Sequence, residues 1–466
     1  MATAGRQRVA VAVLAGSGML TALQFTLIVP ALPEIPSALG VSANDASWMV
    51  TVTLLTGTVG TPIVTRLADM HGKRRLLILS LALLVVGSVL AAVTMTFAGV
   101  LIGRALQGFA SAIIPIGMSL LRDQLPGDRA NSAIALMSAT LGIGSAAGLP
   151  LSGVLSHWGG LDSLFWFSAV AGCVFLVAIS LLVTESSAPR ATGRFDLGGA
   201  AVLAVGLTAL LLVISKAIEW GPWSPRILIA GLVALAAFAA WVPMQLRHAT
   251  PVVDLRTSFS RVVLLTNTAS FFAATGMFGN HLLTMQEALA PTATGYGLGL
   301  DTIAGGLTMV PSALAMVALA PVSGRLLNRF GGRTVLTLGS VTMAAAFFLR
   351  LVVHDSVLAV VVGAVIAGAG TAFAFSAMPS LIMGAVRPTE SAAANGINTL
   401  VRSLSGAVVT AVFALIISGS SVTIGGTDYL SDAGLALALV YAGACSGLAA
   451  VLAVLLPRRP SSRPMP

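Results

Sequence analysis

Charge is scarce in this chain. Only 9% of its 466 residues are Asp, Glu, Lys or Arg, while 57% are hydrophobic. A soluble domain carries roughly 25% charged and 45–50% apolar residues, so a water-facing globule is excluded. With a mean hydropathy of +0.97, most of the surface must face lipid. Acid is scarcer than base: 16 Asp and Glu stand against 25 Lys and Arg. The resulting +9 charge would suit nucleic acid, but the basic residues lie in short gaps between apolar runs. They read as loop charge at a membrane face, and nucleic acid is set aside as a partner. The two cysteines, Cys173 and Cys445, both sit inside apolar runs. That excludes a disulfide framework or a metal-ligand spacing and leaves small packing residues. A His/Asp or Ser/His cluster of the kind a membrane-embedded enzyme needs is missing too, and no cofactor is implied.

What the chain has is long apolar runs. At about 20 residues per crossing, fourteen spans can be drawn. Six lie at 9–32, 47–65, 76–96, 98–121, 130–155 and 163–183. Two follow at 197–216 and 227–246. Six more lie at 262–286, 302–322, 334–353, 356–382, 392–417 and 434–456. The runs are apolar all round rather than alternating, which favours helices over a closed barrel. Arg6 and Arg8 before the first run resemble a secretory signal, but the run to Leu32 is too long and reads as an uncleaved helix. With both termini cytoplasmic, twenty of the 25 basic residues fall on the cytoplasmic side. Lys216, Arg226 and Arg350 fall outside, and Arg104 and Arg402 lie within spans. This asymmetry sets the orientation.

A basic segment is written twice: Thr65-Arg-Leu-Ala-Asp-Met-His-Gly-Lys-Arg-Arg75 and Gly324-Arg-Leu-Leu-Asn-Arg-Phe-Gly-Gly-Arg-Thr334. At an offset of 259 residues Arg66 meets Arg325, Gly72 meets Gly331 and Arg74 meets Arg333. Six helices occupy about 190 residues here, so the offset leaves room for two extra spans. The expected organisation is a six-helix half at 1–190, a two-helix insert with linkers at 191–260 and a second six-helix half at 261–456. Residues 457–466 read as a disordered basic tail. Such parallel six-helix repeats occur in one large transporter fold.

These residues resemble the major facilitator superfamily, specifically its fourteen-helix drug:proton antiporter branch, over essentially the whole chain. The resemblance implies an all-α membrane protein of two six-helix parallel repeats plus a two-helix insert. Residues 65–77 are similar to the family's loop signature G-x-L-a-D-r-x-G-r-k-x-x-l, with Thr65 for the first glycine. The implied role is a latch on one access state, carried by Asp69, Gly72 and Arg74 and by Arg325, Gly331 and Arg333 in the second copy. Asn328 replaces the acid there, so the second latch is expected to be weaker. Leu101-Ile-Gly-Arg-Ala-Leu-Gln-Gly108 resembles the R-x-x-q-G motif, which implies proton coupling or substrate contact at Arg104 and Gln107. Gly144, Gly148, Pro150 and Gly153 lie close to the antiporter signature G-x-x-x-G-P-x-x-G-G, with the proline displaced by one and Ser152 for one glycine. Small residues four apart permit close helix approach. Pro150 can bend its helix, as can Pro115 and Pro311.

In the first span Gln24 stands where the family pattern L-D-x-T-I-V-N-V-A-L-P has aspartate. It forms a stripe with Ser17 and Thr21, either for hydrogen bonding in a cavity or as polar glue between helices. A replacement acid is hard to find. Glu287, at the outer end of the ninth span, is either a protonatable gate or an outer-surface charge. It shares a face with Asn280 and Thr284, beside His281, whose ordinary pKa suits a switch, and Gln286 matches a family glutamine. Asn395, Asn398, Arg402 and Ser405 form one stripe of the thirteenth span, for substrate or gating contact or for interhelical bonding. The resemblance implies a monomeric exporter of small hydrophobic or amphipathic compounds in a bacterial inner membrane, driven by the proton gradient. A proton-independent facilitator or uptake carrier is the alternative. Two membrane arginines with no membrane acid further suggest a neutral or anionic substrate.

Overall fold

A computed structural model describes residues 2–353 and 356–457. The expected tail, apart from Pro457, lies outside the described residues. Thirteen helical stretches are long and apolar enough to cross a membrane. One of them, Thr302–Val352, is 51 residues long, and its helix is broken at Gly331 (φ 77°, ψ 165°). At about 1.5 Å per residue such a stretch exceeds 70 Å, twice the hydrocarbon thickness of about 30 Å. It therefore counts as two crossings, and the chain has fourteen.

Spans 1 to 6 are Ala2–Leu27, Ala43–His71, Lys73–Thr94, Phe97–Gln124, Gly127–Gly159 and Leu161–Leu182. Spans 7 and 8 are Leu197–Trp220 and Pro225–Arg247. Span 9 is Arg261–Leu289, spans 10 and 11 are 302–330 and 332–352, and spans 12 to 14 are Val357–Ala385, Ser391–Gly419 and Asp432–Val454.

The boundaries differ from expectation for local reasons. Span 1 ends at Leu27, five residues early, and turns follow to Glu34. Pro30 and Pro33 remove donors there and push their preceding residues out of the α region. The duplicated basic segment is not a loop. Span 2 continues helically to His71, and span 3 begins at Lys73, so Gly72 alone makes the turn, at φ 115°. Gly331 does the same in the second copy. A 3-10 turn, Phe109–Ala112, interrupts span 4 just before Pro115, whose ring deprives Ser111 of its helical donor. Span 10 is likewise interrupted between Leu307 and Val310, ahead of Pro311. Span 5, by contrast, runs on through Pro150 to Gly159.

A short β-hairpin was not anticipated in an all-α chain. β1 (Ser421–Ile424) pairs antiparallel with β2 (Thr427–Leu430) between spans 13 and 14. Gly425 and Gly426 have φ of 60° and 80°, the two positive values that a two-residue hairpin loop needs.

The insert lies over the seam between the halves. Leu203 and Leu207 of span 7 and Trp241 of span 8 pack in one cluster with Val59 and Ile63 of span 2 and Ile397 and Leu400 of span 13. Lys216, expected to be an external charge, is 2% exposed. Its ammonium reaches Glu219 at 2.6 Å and Ser47 of span 2 at 2.9 Å, and lies 5.0 Å from the Trp48 ring centroid. The opposite seam is formed by span 5 against spans 10 and 12, where Ala139 packs with Met316, Ala320 and Ala372.

Gly72 and Gly153 separate backbone need from packing. A Cβ on Gly72 would be strained by φ and would sit 2.5 Å from a Glu185 carboxylate oxygen, whereas one on Gly153 would meet nothing within 4 Å. Gly72→Ala is expected to cost about 1–3 kcal/mol and Gly153→Ala nothing, read as thermal unfolding midpoints of the purified protein.

Candidate functional site

On the basic side the halves are held by one buried carboxylate. Asp69, 3% exposed, accepts from the backbone N–H of Ala392 at 3.2 Å and of Ala393 at 2.8 Å. These are first-turn donors of span 13, which have no intrahelical acceptor and sit at the positive end of the helix dipole. The Lys73 ammonium lies 3.9 Å from Asp69, 2.5 Å from Asp123 of span 4 and 3.1 Å from the Ser391 hydroxyl. Ser391 also shares a 2.5 Å hydrogen bond with Ser119. Lys73, Asp123 and Ser391 were not singled out from sequence, because residues 50 and 318 positions apart give no local signal. Arg74, expected in the latch, instead donates to the Ser180 carbonyl of span 6 at 2.5 Å and its N–H to Glu185. It braces one half and does not bridge the two.

The second copy is weaker in kind. Asn328 accepts from Asn131 at 2.7 Å and donates to the Asp128 carbonyl at 3.3 Å, both in exposed surroundings. Arg325 is exposed, and Arg333 lines a cavity on the basic side.

In the first half Arg104 is 1% exposed. It donates to the carbonyls of Met49 and Gln24, each at 3.1 Å, and to the Gln107 side chain at 2.8 Å. Gln107 in turn donates to Ser88 at 2.8 Å. The guanidinium therefore uses spare lone pairs of helical carbonyls, and among the described residues it pairs with no carboxylate. Gln24 contributes its main chain, while its side-chain nitrogen has no partner. The expected hydrogen-bonding stripe does not form. Ser17 and Thr21 bond to carbonyls of their own helix, Leu14 and Ser17.

The second half holds a buried ion pair that the sequence did not suggest. Glu287 and Arg350 are each 0% exposed and meet at 2.8 Å. Arg350 also donates to Asn280 at 3.0 Å. Glu287 is thus not an outer-surface charge, and Arg350, expected on the outer side, is buried inside the protein. The reason is cover. After span 9 the chain folds back over Glu287, and Leu298, Gly299 and Leu300 donate to the carbonyls of Glu287, Ala290 and Ala288. Gln286 faces this cover, donating to the Tyr296 hydroxyl at 3.4 Å, and Tyr296 donates to the Leu430 carbonyl at the hairpin. Burial pushes the Tyr296 phenol above its ordinary pKa, so it remains a donor. His281 is only half-buried and joins none of these bonds.

The repeats explain where Arg350 fits. A Cβ on Gly103 would sit 3.0 Å from Ala91, and one on Gly363 would sit 2.4 Å from the Arg350 stem. Arg350 thus takes the place of Ala91 in the sister half.

Span 13 divides its stripe between two uses. Asn398 donates to Asn267 at 3.0 Å and Ser270 at 2.7 Å, and Ser405 to the Phe271 carbonyl at 2.7 Å, all on span 9. Those contacts are interhelical bonding. Arg402, 5% exposed, has its guanidinium 4.9 Å from the Phe375 ring centroid and donates to Thr399, but two of its nitrogens have no partner. Both amide atoms of Asn395, 2% exposed, are also unpartnered. Each unmade buried bond costs about 1–3 kcal/mol, which leaves Asn395 and Arg402 as candidate binding groups.

Span 5 packs as its motif suggests at two of three glycines. A Cβ on Gly144 would lie 2.4 Å from the Met19 carbonyl, and one on Gly148 would overlap Thr26, both on span 1. Gly153 and Pro150 take no part in this close approach.

Two six-helix repeats with ionisable groups buried within and between them are the architecture of a multi-pass membrane transporter. The chain belongs to the Major Facilitator Superfamily, whose model matches residues 14–410 and, in a second register, 263–466. It is 29% identical over 436 residues to the uncharacterized MFS-type transporter EfpA of Mycobacterium tuberculosis, covering 90% of this chain and 78% of that one. It is 27% identical to the multidrug resistance protein Stp of the same organism, over 86% of this chain and 74% of Stp. A third relative is the tetracenomycin C resistance and export protein of Streptomyces glaucescens, 28% identical over 71% of this chain and 60% of that protein. Its fold matches the crystal structure of the human organic anion transporter MFSD10 with a TM-score of 0.68, covering 96% of this chain and 99% of that one at 16% identity.

The inequality of the two copies is testable. Asp69→Asn removes charge from bonds that together contribute on the order of 2–5 kcal/mol, so it should shift the halves toward separation on the basic side at least tenfold. Asn328→Ala should shift them less than threefold. Spin-label distances across the basic ends of spans 2 and 13 measure both.

Proposed function

We propose that this transporter exports small hydrophobic or amphipathic compounds (drugs, antibiotics or metabolites) from a bacterial cell by alternating access, in exchange for protons. It acts as a monomer in the inner membrane, with the basic side and both termini cytoplasmic. The relatives that confer resistance or export an antibiotic support the direction of transport. The basic asymmetry supports the orientation. The observation that carries proton exchange is the Glu287–Arg350 pair, fully buried, with one Glu287 oxygen unpartnered.

A buried pair is stable only while both charges persist. Protonating Glu287 removes the charge that meets Arg350 across the two helices and loosens span 9 from span 11. Span 9 also holds span 13 through Asn267, Ser270 and Thr275, and span 13 carries both the Asp69 latch contact and Arg402. One helix thus links the proton site, the gate and the candidate binding groups. Arg104 and Arg402 pair with no carboxylate among the described residues, whereas Glu287 is already neutralised by Arg350. Neutral or anionic substrates therefore suit the seam better than a lipophilic dication.

The second reading, a proton-independent facilitator or uptake carrier, is favoured by Gln24, which replaces an expected acid in span 1. Efflux from loaded vesicles separates the two. Wild-type efflux should collapse with a protonophore, and a facilitator would be indifferent to it. Glu287→Gln alone should lose about 3–5 kcal/mol of stability by breaking the buried pair. The double variant Glu287→Gln with Arg350→Gln should regain most of that stability while losing uphill, proton-driven efflux. Retained uphill efflux in the double variant removes Glu287 as the proton carrier.

A further inference from the structure

The seam that the insert leaves uncovered contains a cavity of about 1220 Å³ at the basic ends of spans 4, 5 and 10 to 12. That exceeds the roughly 300–1,000 Å³ of pockets for drug-sized ligands. Its wall is divided by depth. Arg122 and Arg333 stand at the mouth with Asn131 and Thr334, and among the described residues the wall contains no Asp or Glu. The first backbone N–H groups of span 11 open on the same level, just after Gly331, adding the positive end of a helix. Deeper along span 11 lie Leu338 and Val341, which are 43% and 51% exposed, and the wall also includes Ile134 of span 5. From Arg333 to Val341 is about 12 Å of helix, most of one leaflet's half of the hydrocarbon core.

We propose that this cavity is a binding site for an anionic phospholipid of the leaflet on the basic side. Its phosphate lies between Arg122 and Arg333, and an acyl chain lies along Leu338, Val341 and Ile134. Basic pockets between spans on the cytoplasmic face take anionic headgroups, and each arginine near the surface contributes about fivefold in affinity. The wall includes residues of both halves, Arg122 to Ile134 from the first and Val262 to Pro457 from the second. A lipid seated there bridges the uncovered seam much as the insert bridges the other one. Since the wall is drawn from both halves, rearrangement of the halves changes the site, and occupancy favours the closed basic side.

The full-length protein in nanodiscs tests this, using fluorescent phosphatidylglycerol in a phosphatidylcholine background, with binding read without turnover. Phosphatidylglycerol should bind at least tenfold tighter than phosphatidylcholine, and excess inorganic phosphate should not displace it. Arg122→Gln with Arg333→Gln should weaken binding about 25-fold, while Arg194→Gln with Arg247→Gln, the same loss of charge at exposed positions outside the cavity, should not. Val341→Trp, which fills the slot and spares both arginines, should also weaken it. Equal binding of the two lipids, full displacement by phosphate, or wild-type phosphatidylglycerol binding in both the variant lacking Arg122 and Arg333 and Val341→Trp would overturn the site. Displacement of the lipid by a transported compound at its transport concentration would reassign the cavity to substrate and equally overturn it.

Discussion

Lipid offers no hydrogen bonds, and this one constraint organises the protein. It forces the backbone into fourteen helices, and it makes every polar side chain between them either find a partner in the protein or remain costly. Most find one. Arg104 borrows the carbonyls of Met49 and Gln24, Lys216 takes Glu219 and Ser47, and Asp69 takes the bare N–H groups at the start of span 13. Unpartnered buried polar atoms remain in several spans, on Gln24, Ser152 and Ser340 among others, but among the described residues only Asn395 and Arg402 carry two each. Asn395 and Arg402 on span 13 and the free oxygen of Glu287 on span 9 remain unpartnered, and spans 9 and 13 are bonded to each other.

The two halves use similar geometry to hold charge in different ways. Gly103 and Gly363 occupy matching places, yet in one half the space beside the glycine takes Ala91 and in the other the stem of Arg350. The first half consequently has an arginine supported only by neutral acceptors, and the second has an arginine matched by an acid. The same inequality recurs at the duplicated turn, where Asp69 is buried on a helix terminus and Asn328 is exposed among amides. On the proposed function, a duplicated fold with unequal charges gives each half a separate task, titration in one and latching in the other.

Most of the architecture was legible because its signals are local. Apolar runs marked the spans, basic residues marked one face, and the offset between Arg66 and Arg325 revealed both the duplication and the insert. The misses arise where three-dimensional cover overrides local position. Glu287 and Arg350 read as external because each lies near the end of an apolar run, and nothing near them signals the chain segment 290–301 that folds over Glu287. Lys73 read as loop charge and Asp123 carried no signal of its own, because their pairing spans 50 residues. The hairpin was missed although Val-Thr-Ile-Gly-Gly-Thr-Asp-Tyr-Leu carries the two-glycine signal between β-branched residues. The long apolar runs on either side drew attention from it. Asp69, Arg104 and Arg402 were recognisable in advance because a charge at or within a span is expensive enough to need a reason.

The central claim is that the ion pair in the second half is the proton-sensitive element of the cycle. Infrared difference spectroscopy of the protein in lipid, recorded through a pH titration with and without a transported compound, examines it most directly. The account predicts a carboxylic acid band that appears on acidification, disappears when substrate is added and is missing from the Glu287→Gln, Arg350→Gln double variant. A band that persists unchanged in that variant, or a spectrum in which no substrate-sensitive carboxyl titrates, would contradict it.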